Sequence, residues 1–367
     1  MIRISKILLI ATLVFTACST EDDGTGDEGG IETDSFDRGA MLANWADNII
    51  IPAFNSFKGS TQQLEDLTVA FTNDPSEENL TALRSSFESS YLEFQTVAMF
   101  DIGKAEELNY RRSLNTYPLD AAEVNNKISS GSYNLELPSS FKEQGFPAMD
   151  YLLYGVGDTK AEVTAKYSSE NYKNYLLDVA KRINALTAEV NSSWQGDYRD
   201  DFVSNTSSSS TGSVDRFTNK YIMYYETFLR SGKIGYPSGI FTGSPSPINV
   251  EGYYSADLSK KLYLEAINSV VDFFNGKSFN GNQTGKSYKQ YLEYLDRSDL
   301  GNDILDQFDA IKSQASNLNA NLKSQVETDN TVMLAAYDEL QKAVVLLKLD
   351  MVQALSISIN YVDSDGD

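Results

Sequence analysis

From residue 35 onward, apolar positions recur with a helical period rather than with strand alternation. Met41, Trp45, Ile49 and Ala53 fall on one face, and Pro52 predicts a kink or restart in that helix. Asp74-Pro75-Ser76-Glu77 reads as a helix start, with Asp74 as cap, Pro75 in the first turn and Glu77 at the capping-box position. The helix that follows places Leu80, Leu83, Phe87, Tyr91, Phe94 and Ala98 on one stripe, at the spacing of a bundle core. Gly103, Pro118, Gly131 and Pro138 break the pattern over 103–139. Helical spacing returns at about 140–153, 168–194 and 214–231. Residues 232–252, with five glycines and three prolines, predict a long loop, which is either a functional segment or a surface crossover. The last helix, about 329–360, carries Met333, Ala336, Leu340, Val344, Leu347, Met351 and Leu355 in one stripe. Its 343–359 portion is apolar nearly all round, which predicts a central, buried helix. Lys348 and Asp350 interrupt it and need partners on other helices.

With no strand series and no solenoid repeat, the pattern predicts an all-α chain of two helical bundles packed side by side, divided at the Ser-rich stretch 205–212. The bundles are 36–204 and 213–362, followed by an acidic tail, 363–367.

The first residues read differently. Arg3 and Lys6 precede an apolar run from Ile7 to Ala17 that is too short to span a bilayer. It ends at Cys18, the one cysteine of the chain. Residues 1–17 therefore read as a lipoprotein signal peptide and Cys18 as the acylated residue of a membrane-anchored chain. Residues 18–35, rich in acids and glycine, predict a flexible acidic tether. Ser19 after Cys18 fits sorting to a Gram-negative outer membrane, with the periplasmic face and the cell surface both left open.

Composition narrows the chemistry. Asp and Glu number 52 against 30 Lys and Arg, a net charge of −22, which repels phosphate backbones and makes nucleic acid a poor partner. The 367 residues contain no His, which removes Ser-His-Asp triads, HExxH zinc helices and every imidazole metal site. The acid clusters Asp197, Asp200, Asp201 and Asp303, Asp306, Asp309 read as solvated surface rather than as a glycosidase pair. The tail Asp363-Ser364-Asp365-Gly366-Asp367 opens like a calcium loop but stops before the remaining ligands.

The most informative stretch is Gly145-Phe146-Pro147-Ala148-Met149-Asp150-Tyr151-Leu152-Leu153-Tyr154-Gly155. It resembles the signature of the imelysin family, Gly-x-His-x-x-Glu followed by an aromatic residue and Leu-Leu-aromatic-Gly. Gly145 matches the glycine, Pro147 stands where the His belongs, and Asp150 replaces the Glu. Asn115-Thr116-Tyr117-Pro118-Leu119-Asp120, Lys233-Ile234-Gly235-Tyr236-Pro237, Val250-Glu251-Gly252-Tyr253-Tyr254-Ser255 and Leu346-Leu347-Lys348-Leu349-Asp350-Met351 are similar to further segments of the family, in the same order. The resemblance implies two bundles with long loops at the cleft between them, an envelope location, and roles in iron or other metal uptake or in peptidase activity.

Pro147 offers no metal ligand, so the expected function is that of a lipid-anchored envelope protein that binds a ligand in the inter-bundle cleft and does not cleave it. The expected ligand site is Asp150, Tyr154, Tyr117, Asp120, Lys233 and Glu251, with no catalytic residue. Oxygen ligands leave open a divalent cation, iron or calcium. The alternatives are a metal-dependent peptidase with an oxygen-only site, and a structural lipoprotein that docks an envelope partner protein.

Overall fold

The computed structural model describes residues 35–361, so the signal peptide, Cys18, most of the tether and the tail 363–367 lie outside the described residues. Among the described residues the chain is helical, with one isolated bridge between Lys277 and Thr284 and no strand.

The first helix runs from Arg38 through a π-helical stretch, Asn44–Ile50, into Ile51–Asn73. Pro52 explains the wide turn. Its ring leaves no room for the usual contact with the carbonyl of Asn48 and supplies no N–H to it. That carbonyl instead accepts the backbone N–H of Phe279 at 2.8 Å. The same stretch grips the hairpin around 276–286 a second time, through Asn44 Nδ2 bonds to the carbonyls of Gly276 and Lys286 at 3.2 and 3.1 Å. Met41, Trp45, Ile49 and Ala53 are all buried, as the spacing predicts.

The second helix, Glu77–Val97, buries the whole expected stripe from Leu80 to Phe94. Its cap differs from the expectation: Ser76, not Asp74, accepts the N–H of Asn79, and Asp74 takes the Asn79 side chain instead. Pro75 already lies outside the helix, and the cap falls two residues later than the Asp-Pro pair suggests. This helix and Glu170–Gln195 flank the first helix. The break at 103–139 contains the short helices Lys104–Glu107, Tyr110–Leu114 and Ala121–Ser130.

The helix beginning at Ser213 does not stop near Ser231. A π-helical stretch, Tyr224–Gly235, carries it on through Tyr236–Ser238, so the expected loop starts only at Gly239. Glycines at 232 and 235 suit this wide helix because a neighbour approaches each closely: a Cβ at Gly235 would lie 2.8 Å from the Phe241 ring.

The last helix spans Thr331–Ala354 and is π-helical over Val345–Met351. It ends earlier than its apolar pattern suggests, with Ser356 at a positive φ of 55°. It is not buried all round, since Leu349 is 58% exposed and Val345 45%. Lys348 finds the partner that its burial demands: Nζ donates to Glu226 of the Ser213–Ser238 helix at 3.3 Å, and Tyr361 donates to the other Glu226 oxygen at 2.9 Å. The acids at 303, 306 and 309 are exposed.

Trp45 anchors the first helix against helices that come much later in the chain. Its ring packs on Phe217, Phe273 and Tyr288, and its indole N–H donates to Ser287 at 2.9 Å. Trp45→Ala is expected to lower stability by about 3–5 kcal/mol, the usual cost of emptying a large aromatic site, measured by denaturant unfolding.

Candidate functional site

The signature helix, Gly145–Asp150 continued by the π-helical Tyr151–Gly155, is buried along Gly145–Leu153. Its two end glycines are each required by a close approach. Gly145 has φ +73°, and a Cβ there would sit 2.2 Å from the Leu114 carbonyl oxygen. At Gly155 a Cβ would lie 2.5 Å from the Tyr254 ring, which rests on the end of the helix.

Asp150 is 2% exposed. Both of its carboxylate oxygens are engaged by one loop: the N–H of Tyr254 donates to one at 2.9 Å and the N–H of Ser255 to the other at 2.8 Å. Burial raises its pKa to about 6, against the pull of those two amides. The neighbouring Pro147 is buried and its ring supplies no polar atom.

The same loop is gripped three residues earlier. Glu251, buried, pairs with buried Lys233 and also accepts from Asn115 Nδ2 at 2.6 Å and Gln95 Nε2 at 3.2 Å. Lys233 donates to Gln95 Oε1 at 2.8 Å, and Tyr91 donates to Asn115 Oδ1 at 2.7 Å. Burial pulls the Lys233 pKa down, with Glu251 opposing. The hydrogen-bonding capacity of Asp150, Lys233 and Glu251 is thus met by protein groups from helices far apart in sequence. Gln95, Asn115 and Tyr91 are the partners that sequence reasoning missed. The available signal was Gln95 beside an otherwise apolar face, four residues after Tyr91.

Tyr154 stands at the other end of the signature helix, half-buried. Its hydroxyl donates to Glu88 at 2.7 Å, and the Arg84 guanidinium lies 4.3 Å from its ring centre. Burial, and the Glu88 carboxylate after it, push its pKa upward. Asp120 is not drawn into this assembly. It is exposed and caps the helix Ala121–Ser130 by accepting the Glu123 N–H at 2.9 Å.

Two hollows adjoin this region. The groove over Pro147 and Asp150, closed by Tyr253 and Tyr254, holds only about 10 Å³, room for about one water. Beside it, Tyr117, Phe228, Tyr236, Arg112, Asn115 and Asn249 line a mostly apolar hollow of about 260 Å³. Tyr117 borders both.

The donor set does not fit a metal. Pro147 puts no ligand one turn before Asp150, the Tyr154 hydroxyl one turn after it is engaged by Glu88, and both Asp150 oxygens already accept amides. Among the described residues no group of three Cys, Asp or Glu side chains converges on a common point.

The family model described as imelysin (peptidase M75) matches residues 50–347. The chain belongs to the imelysin family. Two solved structures share the fold. One is an iron-regulated protein A precursor from Parabacteroides distasonis, 17% identical over 85% of this chain and 94% of that one, with a TM-score of 0.70. The other is an imelysin-like protein from Psychrobacter arcticum, 16% identical over 88% and 97%, also with a TM-score of 0.70. No curated protein matches the chain. This imelysin-family member therefore keeps the frame of the signature, glycine to glycine, while its central carboxylate serves as a clamp on a loop.

Two outcomes test that role. Lys233→Met leaves Glu251 buried without its cation and is expected to cost about 3–5 kcal/mol, whereas Lys233→Met with Glu251→Met recovers most of the loss, as read by thermal unfolding. The folded pKa of Asp150 lies above its unfolded value, so its contribution to stability is fully present below about pH 4 and is lost as pH rises through about 6. The stability difference between wild type and Asp150→Asn should shift against wild type by about 2 kcal/mol between pH 4 and 7.

Proposed function

We propose that this protein is a lipid-anchored, cell-envelope member of the imelysin family that binds an organic ligand without cleaving it, in the service of iron acquisition. The observation that carries the non-catalytic reading is the Asp150 carboxylate, held by two loop amides beside a proline. Hydrolysis by a metal-bound water needs an open coordination position, and hydrolysis by a general base needs a free carboxylate in contact with solvent. Asp150 offers neither.

The hollow beside Tyr117 is the ligand site that this reading favours. It is concave, mostly apolar and carries a few polar groups at its edge, as small-molecule sites do. Its aromatic walls, Tyr117, Phe228 and Tyr236, suit a planar body. Arg112 suits an anionic substituent. The iron connection draws support from the family and from the iron-regulated relative. It concerns an organic ligand rather than the bare ion, because among the described residues no three Cys, Asp or Glu side chains converge on a metal position.

Anchoring rests on Cys18 after its apolar run. Among the described residues no helix is long and apolar enough to cross a membrane, so attachment through the acylated cysteine is the route proposed. The partner at that end is the membrane. The alternative of a protein-docking lipoprotein is favoured by one observation, the near-complete filling of the groove over Asp150.

Anilinonaphthalene sulfonate, an aromatic anion, is expected to bind once per chain and to lose about tenfold in affinity in Arg112→Ala or Tyr236→Ala, read by fluorescence titration. Equal binding by both variants would return the hollow to a structural role. Elemental analysis should find no stoichiometric iron, zinc or calcium, and chelator should leave the melting temperature unchanged. Peptide cleavage that Asp150→Ala abolishes would overturn the non-catalytic reading. In cells, labelled fatty acid is expected on wild type and absent from Cys18→Ser.

A further inference from the structure

A hollow of about 640 Å³ lies away from the signature helix. It opens between the second helix, Glu77–Val97, and the helix Ser259–Asn275, with the hairpin at 277–282 as its third wall. Its volume is that of a site for a drug-sized molecule. The lining mixes polar groups with apolar side chains, Ile49, Leu92, Met99 and Phe279 among them.

The third wall is held in place by the first helix. The Asn48 carbonyl, released by Pro52, binds the Phe279 N–H, and Asn44 binds the hairpin's base. The hollow is therefore a consequence of a fixed packing arrangement rather than of a gap at a loose end.

Three carboxylates and one ammonium line it. Glu93 accepts from Ser56, and Asp272 pairs with Lys277 at 2.8 Å. Glu265, partly buried, receives no hydrogen bond and no ion pair from the described residues through its carboxylate. Burial, followed by the Asp272 charge, raises its pKa, and Lys277 offsets this only in part. Lys277 is engaged by Asp272, so this half-buried carboxylate has no counter-charge in hydrogen-bond contact, and a cation from outside completes it. The apolar side chains in the lining add that the cation carries an apolar body.

We infer that this hollow is a second binding site, for an organic cation with an apolar body whose ammonium group meets Glu265. The nearby Glu93 and Asp272 reinforce the sign of the potential and exclude anions.

Calorimetric titration of the purified chain with phenethylammonium, and separately with phenylacetate, tests this. The two probes share a ring and differ in charge. The expected result is one phenethylammonium per chain, at least about tenfold weaker binding of phenylacetate, and at least about tenfold loss of phenethylammonium affinity in Glu265→Gln. Glu265 is partly exposed, so Glu265→Gln should keep its melting temperature. If it does not, the two-probe comparison on wild type decides alone. Equal binding of the two probes, binding of neither, or undiminished binding by a folded Glu265→Gln would overturn the assignment. Saturating anilinonaphthalene sulfonate should leave phenethylammonium bound; displacement would place both in one hollow and would also overturn it. Failure of the sulfonate alone bears only on the site beside Tyr117.

Discussion

The loop at 250–255 is held by buried charge at both ends, and the architecture of the signature region follows from that constraint. Glu251 sits among Lys233, Gln95 and Asn115, and Asp150 caps the amides of Tyr254 and Ser255. Each group is removed from water, so each is tolerable only while its partners stay in place. The second helix, the turn before Tyr117, the signature helix, the helix from Ser213 and the loop must therefore be positioned together. A carboxylate that would be a reactive group in an open site is here the fastener of a closed one.

Wide helical turns supply much of the positioning. The buried ionic groups Glu226, Arg230 and Lys233 lie on the π-helical stretch Tyr224–Gly235, Lys348 lies on Val345–Met351, and Tyr154 lies on the stretch that ends the signature helix. A π turn shifts the register of every later side chain and frees a carbonyl, and such turns recur where side chains must converge. At Asn44–Ile50 the freed carbonyl of Asn48 has a visible use, since it fixes the hairpin that walls the hollow of about 640 Å³. A backbone irregularity forced by one proline is thereby converted into the shape of a surface.

Membership of the imelysin family and the chemistry of this chain separate at position 147. The family frame survives because Gly145 and Gly155 are required by close backbone and ring contacts. The family's imidazole is absent, and the residue in its place has no lone pair to give. Fold and site chemistry thus separate here: packing preserves the frame, while the central carboxylate is spent on two loop amides.

The helical period alone determined the class of the fold and most of the core, because burial of an apolar stripe is a local demand that the sequence must state openly. Trp45, the stripe from Leu80 to Phe94 and the helix Glu170–Gln195 were legible for that reason. So was the need of Lys348 for a partner on another helix. The absence of His likewise settled, before any fold, which chemistries were out of reach. What the sequence could not state was which distant groups would meet. Gln95 reads as an ordinary polar residue until Lys233 and Glu251 are placed against it, and Asp120 reads like Asp150 until one caps an exposed helix and the other is buried. The extension of the helix through Gly235, against the advice of its glycines, was also decided by neighbours, because close approach of Tyr117, Phe241 and Tyr337 makes the missing side chains an advantage. Partner identity, burial and the shape of a hollow are sums over contacts between segments far apart in the chain, and only the tertiary structure performs that sum.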